Sequence, residues 1–300
     1  MPRRAGASGS GTSRRWLPTS ASGCLANGTA PLNDPATGLA RNRRREAGLI
    51  RPMGEQKTPA AEEELVPIKE QVYKDPRPIE QLQKYYDWPL THKPGPIYDV
   101  VRLLLSTLVW VPYRARSVNS RRVPTSGPVI FAPNHFSNID HFFVGAFTRR
   151  KLQFMAKSQL YHGWMSWVYK TGGVFPVRRG VRDEQAFQVV DSILSRGGCI
   201  CMYCEGGRSR TGKMADKPKP GIGRVALQSG AVVVPVAIYG SQKVRNWKKL
   251  QAPKVRVSFG EPLRYEIVTD PTREQQQAAA DEIFVEIKKL YAELEARASG

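Results

Sequence analysis

Residues 129–140 read VIFAPNHFSNID, and this stretch decides the fold class of the chain. The apolar run at 129–132 predicts a buried β-strand. The polar motif at 134–140 predicts a loop that leads into a helix from about residue 139 to residue 149. A strand, a polar loop and a helix in this order are typical of an α/β domain.

The same alternation of strands and helices continues towards the C-terminus. Apolar runs predict further strands at 153–156, 173–177, 199–204, 232–238 and 255–259. Periodic segments predict helices at 160–170, 183–196 and 223–229, and a last helix after Thr269-Asp270-Pro271 with an apolar stripe at Ile283, Ile287, Leu290 and Leu294. Pro235 favours an edge strand or a bulge for its run. The alternation predicts a mixed, mostly parallel sheet covered by helices on both faces.

Net charge and cysteine content indicate which partners and which cellular compartment suit this chain. The 300 residues carry a net charge of +20, which favours an anionic partner: nucleic acid, an anionic membrane, a phosphorylated substrate or an acidic carrier. Cys199, Cys201 and Cys204 lie within six residues, a spacing unsuited to a disulfide framework. A reducing compartment is therefore expected. We interpret the three thiols as core residues and expect no metal.

Residues 1–64 form the first of three predicted segments, a disordered basic leader. Residues 1–52 contain nine Arg, no Lys and two acidic residues, and they show almost no hydrophobic periodicity. The composition changes abruptly at Met53. This leaves two interpretations: a disordered basic tail, or translation that starts at Met53.

Residues 65–122 form the second segment, predicted to be helical and to lie at a membrane interface. A helix is expected at 97–113, with Trp110 and Tyr113 near its end. An arginine cluster follows it, consisting of Arg114, Arg116, Arg121 and Arg122. Aromatic rings at headgroup level and arginines on anionic lipid suit an interfacial helix. The alternative is a buried core helix.

No segment is predicted to cross a membrane. The best candidate, at 100–111, has only 12 residues and contains Arg102. A bilayer-spanning helix needs about 20 apolar residues. The third segment, residues 123–300, is predicted to be the α/β core with a C-terminal helix.

His135 and Asp140 are the first candidates for catalysis. A histidine with an ordinary pKa can accept a proton from a hydroxyl at neutral pH. It works best when a second group fixes its tautomer and orientation. A loop that enters a first helical turn lets Asp140 fold back onto His135. The alternative is a loop histidine beside an Asp that only caps the helix.

Residues 205–213, EGGRSRTGK, offer an anion site after the predicted strand at 199–204. Gly206 and Gly207 allow the backbone to approach a ligand closely, and successive bare amides can bind an anion. Arg208 and Arg210 can bind a phosphate through paired N–H groups. Glu205 is expected to hold an arginine or a substrate hydroxyl. The alternative is a glycine-rich turn with solvated arginines.

Together these motifs resemble those of the PlsC-type glycerolipid acyltransferases, which include the lysophosphatidate (1-acylglycerol-3-phosphate) acyltransferases. Four blocks carry the resemblance, in order: Asn134-His135 with Asp140, residues 173–178 (GVFPVR), residues 205–209 (EGGRS) and residues 234–238 (VPVAI). The resemblance covers roughly residues 97–265. It implies a single glycerolphosphate-acyltransferase-like α/β domain with interfacial N-terminal helices.

The resemblance also implies roles for individual residues. His135 would be the catalytic base and Asp140 the residue that orients it. The glycerol phosphate would be bound by Arg178, Glu205, Gly206, Gly207, Arg208 and Ser209. The donor would be acyl-CoA or acyl carrier protein as a co-substrate, with no cofactor. The implied site of action is the cytoplasmic face of the cell membrane, with the protein peripheral or monotopic on an anionic surface.

The third block leaves the acceptor open. The family usually has Pro-Glu-Gly-Thr-Arg-Ser there, whereas this chain has Cys204-Glu-Gly-Gly207-Arg-Ser. Together with the following Arg-Thr-Gly-Lys, this resembles the glycerol-3-phosphate acyltransferases. The first block resembles the lysophosphatidate branch. Acylation of the sn-2 hydroxyl of 1-acylglycerol-3-phosphate, a lysophospholipid, is therefore the first expectation, and 1-acylation of glycerol-3-phosphate is the alternative.

A function of another class is a peripheral membrane or nucleic-acid-binding protein without catalysis. Basic clusters, such as those at 149–151 and 243–249, would suit nucleic acid. No helix-turn-helix, zinc-finger or aromatic RNA-binding motif accompanies them in the sequence. Lipid headgroups, CoA phosphates or an acidic carrier explain the charge equally well, and we expect no nucleic-acid partner.

Overall fold

The computed structural model describes residues 75–181, 183–209, 211–245 and 252–299. Within these residues, seven strands form one sheet: β1 Arg116–Val118, β2 Val129–Pro133, β3 Leu152–Lys157, β4 Val174–Val177, β5 Cys199–Cys201, β6 Val232–Tyr239 and β7 Arg256–Phe259. Their order across the sheet is β1-β7-β6-β2-β5-β3-β4. Neighbouring strands run parallel, except that β6 and β7 are antiparallel. The predicted mixed, mostly parallel sheet is confirmed.

Helices cover both faces of this sheet. They are α1 Gln83–Thr91, α2 Pro96–Tyr113, α3 Asp140–Ala146, α4 Met165–Thr171, α5 Glu184–Ser195, α6 Gly221–Ser229 and α7 Arg273–Ser299. In β2, Ile130 and Ala132 pack with one buried cluster, which includes residues of α5, α6 and α7. The alternate residues Val129 and Phe131 pack with a second cluster, which includes residues of α3. This alternation is the period of two that places successive side chains on opposite faces.

The strand predicted at 199–204 is wrong in its second half. β5 ends at Cys201, and the chain then turns away from the sheet. The N–H of Gly206 donates to the carbonyl of Tyr203, and Gly206 has a φ of +68°, a left-handed conformation that favours glycine. The last residues of the apolar run are therefore part of the turn that leads into the third block. Cys199, Cys201 and Cys204 are buried free thiols, as predicted for core residues.

Two further elements differ from their predicted form. The helix predicted at 160–170 is broken, because Gly163 adopts a φ of +60° and α4 begins only at Met165. The strand that contains Pro235 is not an edge strand, since β6 lies between β2 and β7. A bulge lies opposite Pro235, with its extra residue in the partner segment 259–263 and not in β6. The antiparallel register shifts by one residue between the Val236–Phe259 pair and the isolated Val233–Leu263 bridge.

The predicted boundary at residue 122 is also wrong. β1 pairs with β7 and is part of the core sheet, so the helical segment ends with α2. Along α2, Leu103 and Leu108 are 70% and 66% exposed, which excludes the alternative of a buried core helix. Among the described residues, no helix is long and apolar enough to cross a membrane. The predicted leader at 1–64 lies outside the described residues.

The C-terminal helix packs closely on α6. The predicted stripe of Ile283, Ile287, Leu290 and Leu294 is buried in α7. The helix is capped by Thr272, whose hydroxyl accepts the N–H of Gln275, rather than by the predicted Thr269-Asp270-Pro271. Gly223 of α6 lies against the backbone of α7, because a Cβ there would overlap the carbonyl oxygen of Gln276. Packing between helices is therefore the role of this glycine.

Candidate active site

The sequence-predicted site residues converge at one edge of the sheet. His135 follows β2, Arg178 follows β4 and Glu205 follows the end of β5. In the sheet, β2, β5, β3 and β4 are successive parallel neighbours, so their carboxyl ends lie at the same edge. Open α/β sheets bind ligands at this edge. The first and third blocks are thereby brought into direct contact although about 70 residues separate them in the chain.

His135 and Asp140 form the predicted pair. The Nδ1 atom of His135 lies 2.9 Å from Oδ2 of Asp140. The same oxygen accepts the backbone N–H groups of Phe136 and Ser137, each at 2.7 Å. The loop folds back because Asp140, the first residue of α3, accepts three hydrogen-bond donors from the preceding turn. Charge-assisted bonds of this kind fix the carboxylate, and through it the imidazole.

This geometry leaves His135 able to act as a base. With the Nδ1–H donated to Asp140, the lone pair of the ring is on Nε2. Burial lowers the pKa of His135 below its ordinary 6.5, Asp140 partly offsets this effect, and the charges of Arg179 and Arg208 lower the pKa further. The imidazole is therefore neutral at pH 7. The side chain is 11% exposed, so only a small part of it is accessible to a hydroxyl.

Asn134 joins the loop that carries His135 to the fourth block. Its Oδ1 accepts the N–H of Ile238 at 2.7 Å, and its Nδ2 donates to the carbonyl of Ile238 at 3.1 Å. The amide thus pairs with both backbone groups of one residue near the end of β6, as a neighbouring strand would. Asn134 is completely buried, and Asn is suited to this position because its side chain carries one acceptor and one donor.

The third block binds the backbone on both sides of His135. Glu205 Oε1 accepts the N–H of His135 at 2.9 Å, and the N–H of Ser209 donates to the carbonyl of His135 at 2.9 Å. Glu205 Oε2 accepts the N–H of Ala215 at 3.2 Å. Both oxygens of Glu205 thus bind backbone amides, and the expectation that Glu205 holds an arginine or a substrate hydroxyl stays a prediction. Burial raises the pKa of Glu205 to about 7, although the two N–H groups act against it.

The other residues of the third block shape its turn. A Cβ at Gly206 would lie 2.9 Å from Cγ of Lys219, so only glycine fits there without displacement. The hydroxyl of Ser209 accepts the N–H of Gly212 at 3.0 Å and donates to the carbonyl of Lys213 at 2.6 Å. The side chain of Ser209 is thus used within the turn. Gly207 and Arg208 are partly buried on the same turn, and Arg210 lies outside the described residues.

Arg179, which the prediction did not name, acts electrostatically on His135. Its charge and that of Arg208 act on the pKa of His135, after burial and Asp140. The charge of the predicted Arg178 acts instead on Tyr86, whose pKa is raised chiefly by burial and lowered in part by this arginine. The backbone N–H of Arg178 donates to Asp183 Oδ2 at 2.6 Å. Arg178 and Arg179 both follow β4, and no local feature of the sequence distinguishes which of them acts on His135.

Sequence reasoning also missed Tyr203 and Lys157. The ring of Tyr203 stacks on the imidazole of His135, with 3.8 Å between centroids and 17° between planes. Lys157, the last residue of β3, pairs with Val177 of β4 at the active edge of the sheet. The sequence feature that could have indicated them is their position. Tyr203 lies just before the third block, and Lys157 is the last residue of β3. Among the described residues, no cluster of three or more His, Cys, Asp or Glu side chains could hold a metal ion.

Comparison with known proteins shows what this chain is similar to. A family model described as Acyltransferase matches residues 114–239. The crystal structure of the 1-acyl-sn-glycerophosphate (LPA) acyltransferase PlsC from Thermotoga maritima superposes with a TM-score of 0.51 at 19% identity, and the match covers 73% of this chain and 92% of that one. Residues 114–239 therefore match an acyltransferase family model, and the fold is similar to that of PlsC.

A plant protein is similar to part of this chain. The chloroplastic 1-acyl-sn-glycerol-3-phosphate acyltransferase LPAT1 of Arabidopsis thaliana is 24% identical over 149 residues, which are 48% of this chain. The match spans 41% of the length of that relative. The range that matches the family model contains all four blocks, from Asn134 to Ile238.

Proposed function

We propose that this protein transfers a fatty acyl group from acyl-CoA or acyl carrier protein to the sn-2 hydroxyl of 1-acylglycerol-3-phosphate, which gives phosphatidate. The observation that carries the proposal is the bond of 2.9 Å between His135 Nδ1 and Asp140 Oδ2 at the ligand-binding edge of the sheet. It provides a neutral, oriented base beside a turn that carries arginine and glycine. This combination can deprotonate an acceptor hydroxyl and bind a phosphate group on the same molecule.

The proposed mechanism needs no covalent enzyme intermediate. His135 Nε2 takes the proton of the acceptor hydroxyl as its oxygen attacks the thioester carbonyl. The tetrahedral intermediate collapses with cleavage of the carbon–sulfur bond, and the imidazolium returns the proton to the leaving thiolate. Asp140 stabilises the imidazolium between these steps. A base of this kind contributes about 10²- to 10⁴-fold to the rate, and the remainder comes from positioning and charge stabilisation.

The acceptor phosphate is proposed to lie near Arg208 and Arg179. Both guanidinium groups act on the pKa of His135, which supports a phosphate site near this base. The backbone amides of Gly206 and Gly207 lie on the same turn. Arginine is suited to this role because its planar N–H groups match two phosphate oxygens at once.

Glycerol-3-phosphate is the second candidate acceptor. The observation that favours it is Gly207, which occupies the position where the lysophosphatidate branch usually has threonine. Without a side chain there, the turn leaves more room beside Arg208. The product would then be the 1-acylated glycerol phosphate, formed by the same chemistry at the same base.

The protein is proposed to work on the cytoplasmic face of the cell membrane, docked on an anionic surface through α2. The exposed apolar residues of α2 are Val100, Leu103, Leu104, Leu108, Trp110 and Val111. Trp164 and Trp167, in or beside α4, are 76% and 55% exposed. Exposed leucine and tryptophan at this density are typical of helices that lie in the headgroup region. Three reduced thiols fit the cytoplasmic side.

A side-by-side transfer assay tests the function. Purified protein is offered lysophosphatidate and glycerol-3-phosphate separately, each with radiolabelled acyl-CoA, and the His135→Ala variant serves as the control. We expect labelled phosphatidate from wild type and loss of at least about 10²-fold in the variant. Transfer to glycerol-3-phosphate alone would favour the second candidate. Transfer to neither, or full activity of His135→Ala, would contradict the catalytic proposal and favour a non-catalytic membrane or nucleic-acid-binding role.

A further inference from the structure

A cationic cavity lies away from the catalytic base, before the amino ends of β2 and β3. Its volume is about 450 Å³, within the range of roughly 300–1,000 Å³ that ligand sites occupy. The lining residues are Ser120, Arg121, Val123, Pro124, Thr125, Phe147, Arg149 and Arg150. Three arginines, one serine and one threonine therefore line one concave space.

None of these lining residues, all within the described part of the chain, is acidic. Other arginines of the fold do have carboxylate partners: Arg77 with Asp75, Arg122 with Glu261 and Arg224 with Glu184. Three like charges in one cavity repel each other, and an anion between them would reduce this repulsion. The composition of the cavity is therefore suited to an anion from outside the chain.

Arg150 is held in place at the wall of the cavity. Its Nη1 donates to the carbonyl of Gly127, and its Nη2 donates to the carbonyl of Gly197, each at 2.5 Å. These bonds fix the guanidinium plane before any ligand arrives. A guanidinium has five N–H groups, so three remain after these two bonds. Arg121 and Arg149, both exposed, complete the group.

The cavity adjoins the exposed apolar helix. Phe147 lines both this cavity and a neighbouring one of about 460 Å³, which Leu103, Thr107 and Trp110 of α2 also line. Arg102 of α2 donates to the carbonyl of Thr148, which joins the helix to the same loop. An anion in the cavity would thus lie beside the face of α2 that is proposed to enter the headgroup region.

We propose that this cavity binds the phosphate of an anionic phospholipid headgroup. The inference rests on the proposed membrane docking of α2, but it does not depend on the proposed reaction. The recognition chemistry is a phosphate oxygen pair on arginine forks, supported by the hydroxyls of Ser120 and Thr125. A lipid phosphate is favoured over a soluble one because apolar α2 residues line the neighbouring cavity.

Vesicle flotation of the full-length protein tests the proposal. The vesicles contain phosphatidylcholine with or without phosphatidylglycerol, which is neither the proposed acceptor nor the proposed product. The test variant is Arg121→Gln with Arg149→Gln. The matched control is Arg273→Gln with Arg297→Gln, two exposed arginines of α7. We expect the cavity variant to bind phosphatidylglycerol vesicles at least about tenfold more weakly, and the control to change far less.

A charge-conserving variant distinguishes specific phosphate binding by arginine from general electrostatic attraction to the vesicle. Arg121→Lys with Arg149→Lys keeps the charge but removes the forked N–H geometry, and we expect it to bind as weakly as the glutamine variant. Full binding by the lysine variant, or equal losses in the cavity and control variants, would overturn the proposal. These assays contain neither an acyl donor nor an acyl acceptor. Their outcome therefore does not depend on whether the catalytic proposal is correct.

Calorimetry with inorganic phosphate distinguishes the source of the anion. Weak or undetectable heat with wild type, alongside arginine-dependent vesicle binding, supports a lipid headgroup. Phosphate binding that needs Arg121 and Arg149, without any effect of these residues on vesicles, would assign the cavity to a soluble phosphate compound and overturn the lipid proposal.

Discussion

The imidazole of His135 stacks on the ring of Tyr203, with 3.8 Å between ring centroids and 17° between ring planes. Asp140 fixes one edge of the imidazole, and Tyr203 covers one of its faces. The ring therefore cannot swivel about its Cβ–Cγ bond without losing one of these contacts. Tyr203 follows β5, whereas His135 follows the adjacent β2, so this contact exists only because the two strands are neighbours.

Replacement of Tyr203 should affect turnover more than binding. Tyr203→Phe keeps the aromatic face and should keep the rate of transfer within about threefold, whereas Tyr203→Leu should lower kcat by about tenfold with little change in KM, because an aromatic contact contributes about 0.5–1.5 kcal/mol beyond its buried area. Steady-state kinetics with the preferred acceptor measures both. If Tyr203→Leu kept the wild-type kcat, Tyr203 would have no positioning role.

The Asp140 carboxylate should set the acid side of the pH profile. In wild type, kcat/KM should fall as pH drops below the ordinary histidine pKa of 6.5, because burial lowers the pKa of His135 and only the neutral imidazole is a base. Asp140→Asn removes the charge that raises this pKa, so the acid limb should move to lower pH. The maximal rate should fall by about 10²- to 10⁴-fold. A shift of the acid limb to higher pH would contradict this assignment.

Glu205 should make the fold less stable as pH rises towards neutrality. Burial raises its pKa from 4.5 to about 7, so the folded state holds this proton more tightly than the unfolded state does. Its contribution is therefore fully present below about pH 4.5 and is lost as pH rises through about 7. The loss is on the order of 2 kcal/mol. His135 contributes in the opposite direction, since its lowered pKa costs stability as pH falls below 6.5.

Urea unfolding at about pH 5 and about pH 8 tests the role of Glu205. The difference in unfolding free energy between wild type and Glu205→Gln should change by on the order of 2 kcal/mol between the two conditions, with the variant gaining relative to wild type at the higher pH. Glu293→Gln, at an exposed position of α7, is the matched control and should show no such change. Parallel behaviour of the two variants would rule out a titrating Glu205.

Gly223 should be intolerant of any side chain. A Cβ there would overlap the carbonyl of Gln276 and lie 2.9 Å from the N atom of Ala280, both in α7 backbone. Gly223→Ala should therefore lower the free energy of unfolding by about 1–3 kcal/mol. Gly145→Ala in α3 is the matched control, because a Cβ there meets nothing within 4 Å. It should raise stability by about 0.5–1 kcal/mol through helix propensity. Equal effects in thermal unfolding would contradict the packing argument.

Local sequence patterns predicted the presence of strands and helices more accurately than the residues at which these elements begin and end. The apolar runs at 129–132 and 232–238 correspond to β2 and β6, because burial on both faces of a parallel sheet requires continuous apolar residues. The apolar run at 199–204 predicted a strand longer than β5, because composition does not distinguish apolar residues in a turn from apolar residues in a strand. The edge position predicted from Pro235 failed because strand order is not encoded locally.

By itself, the sequence determined the α/β class, the order of its elements and the chemical types at the site. Periodicity, the five-residue spacing of His135 and Asp140, and the glycine turn are properties of a few consecutive residues. Only the tertiary structure decided that Glu205 binds the backbone of His135, that Tyr203 stacks on its ring, and that Arg179 acts on its pKa. These contacts join residues more than 40 positions apart, and they depend on the strand order, which no local pattern specifies.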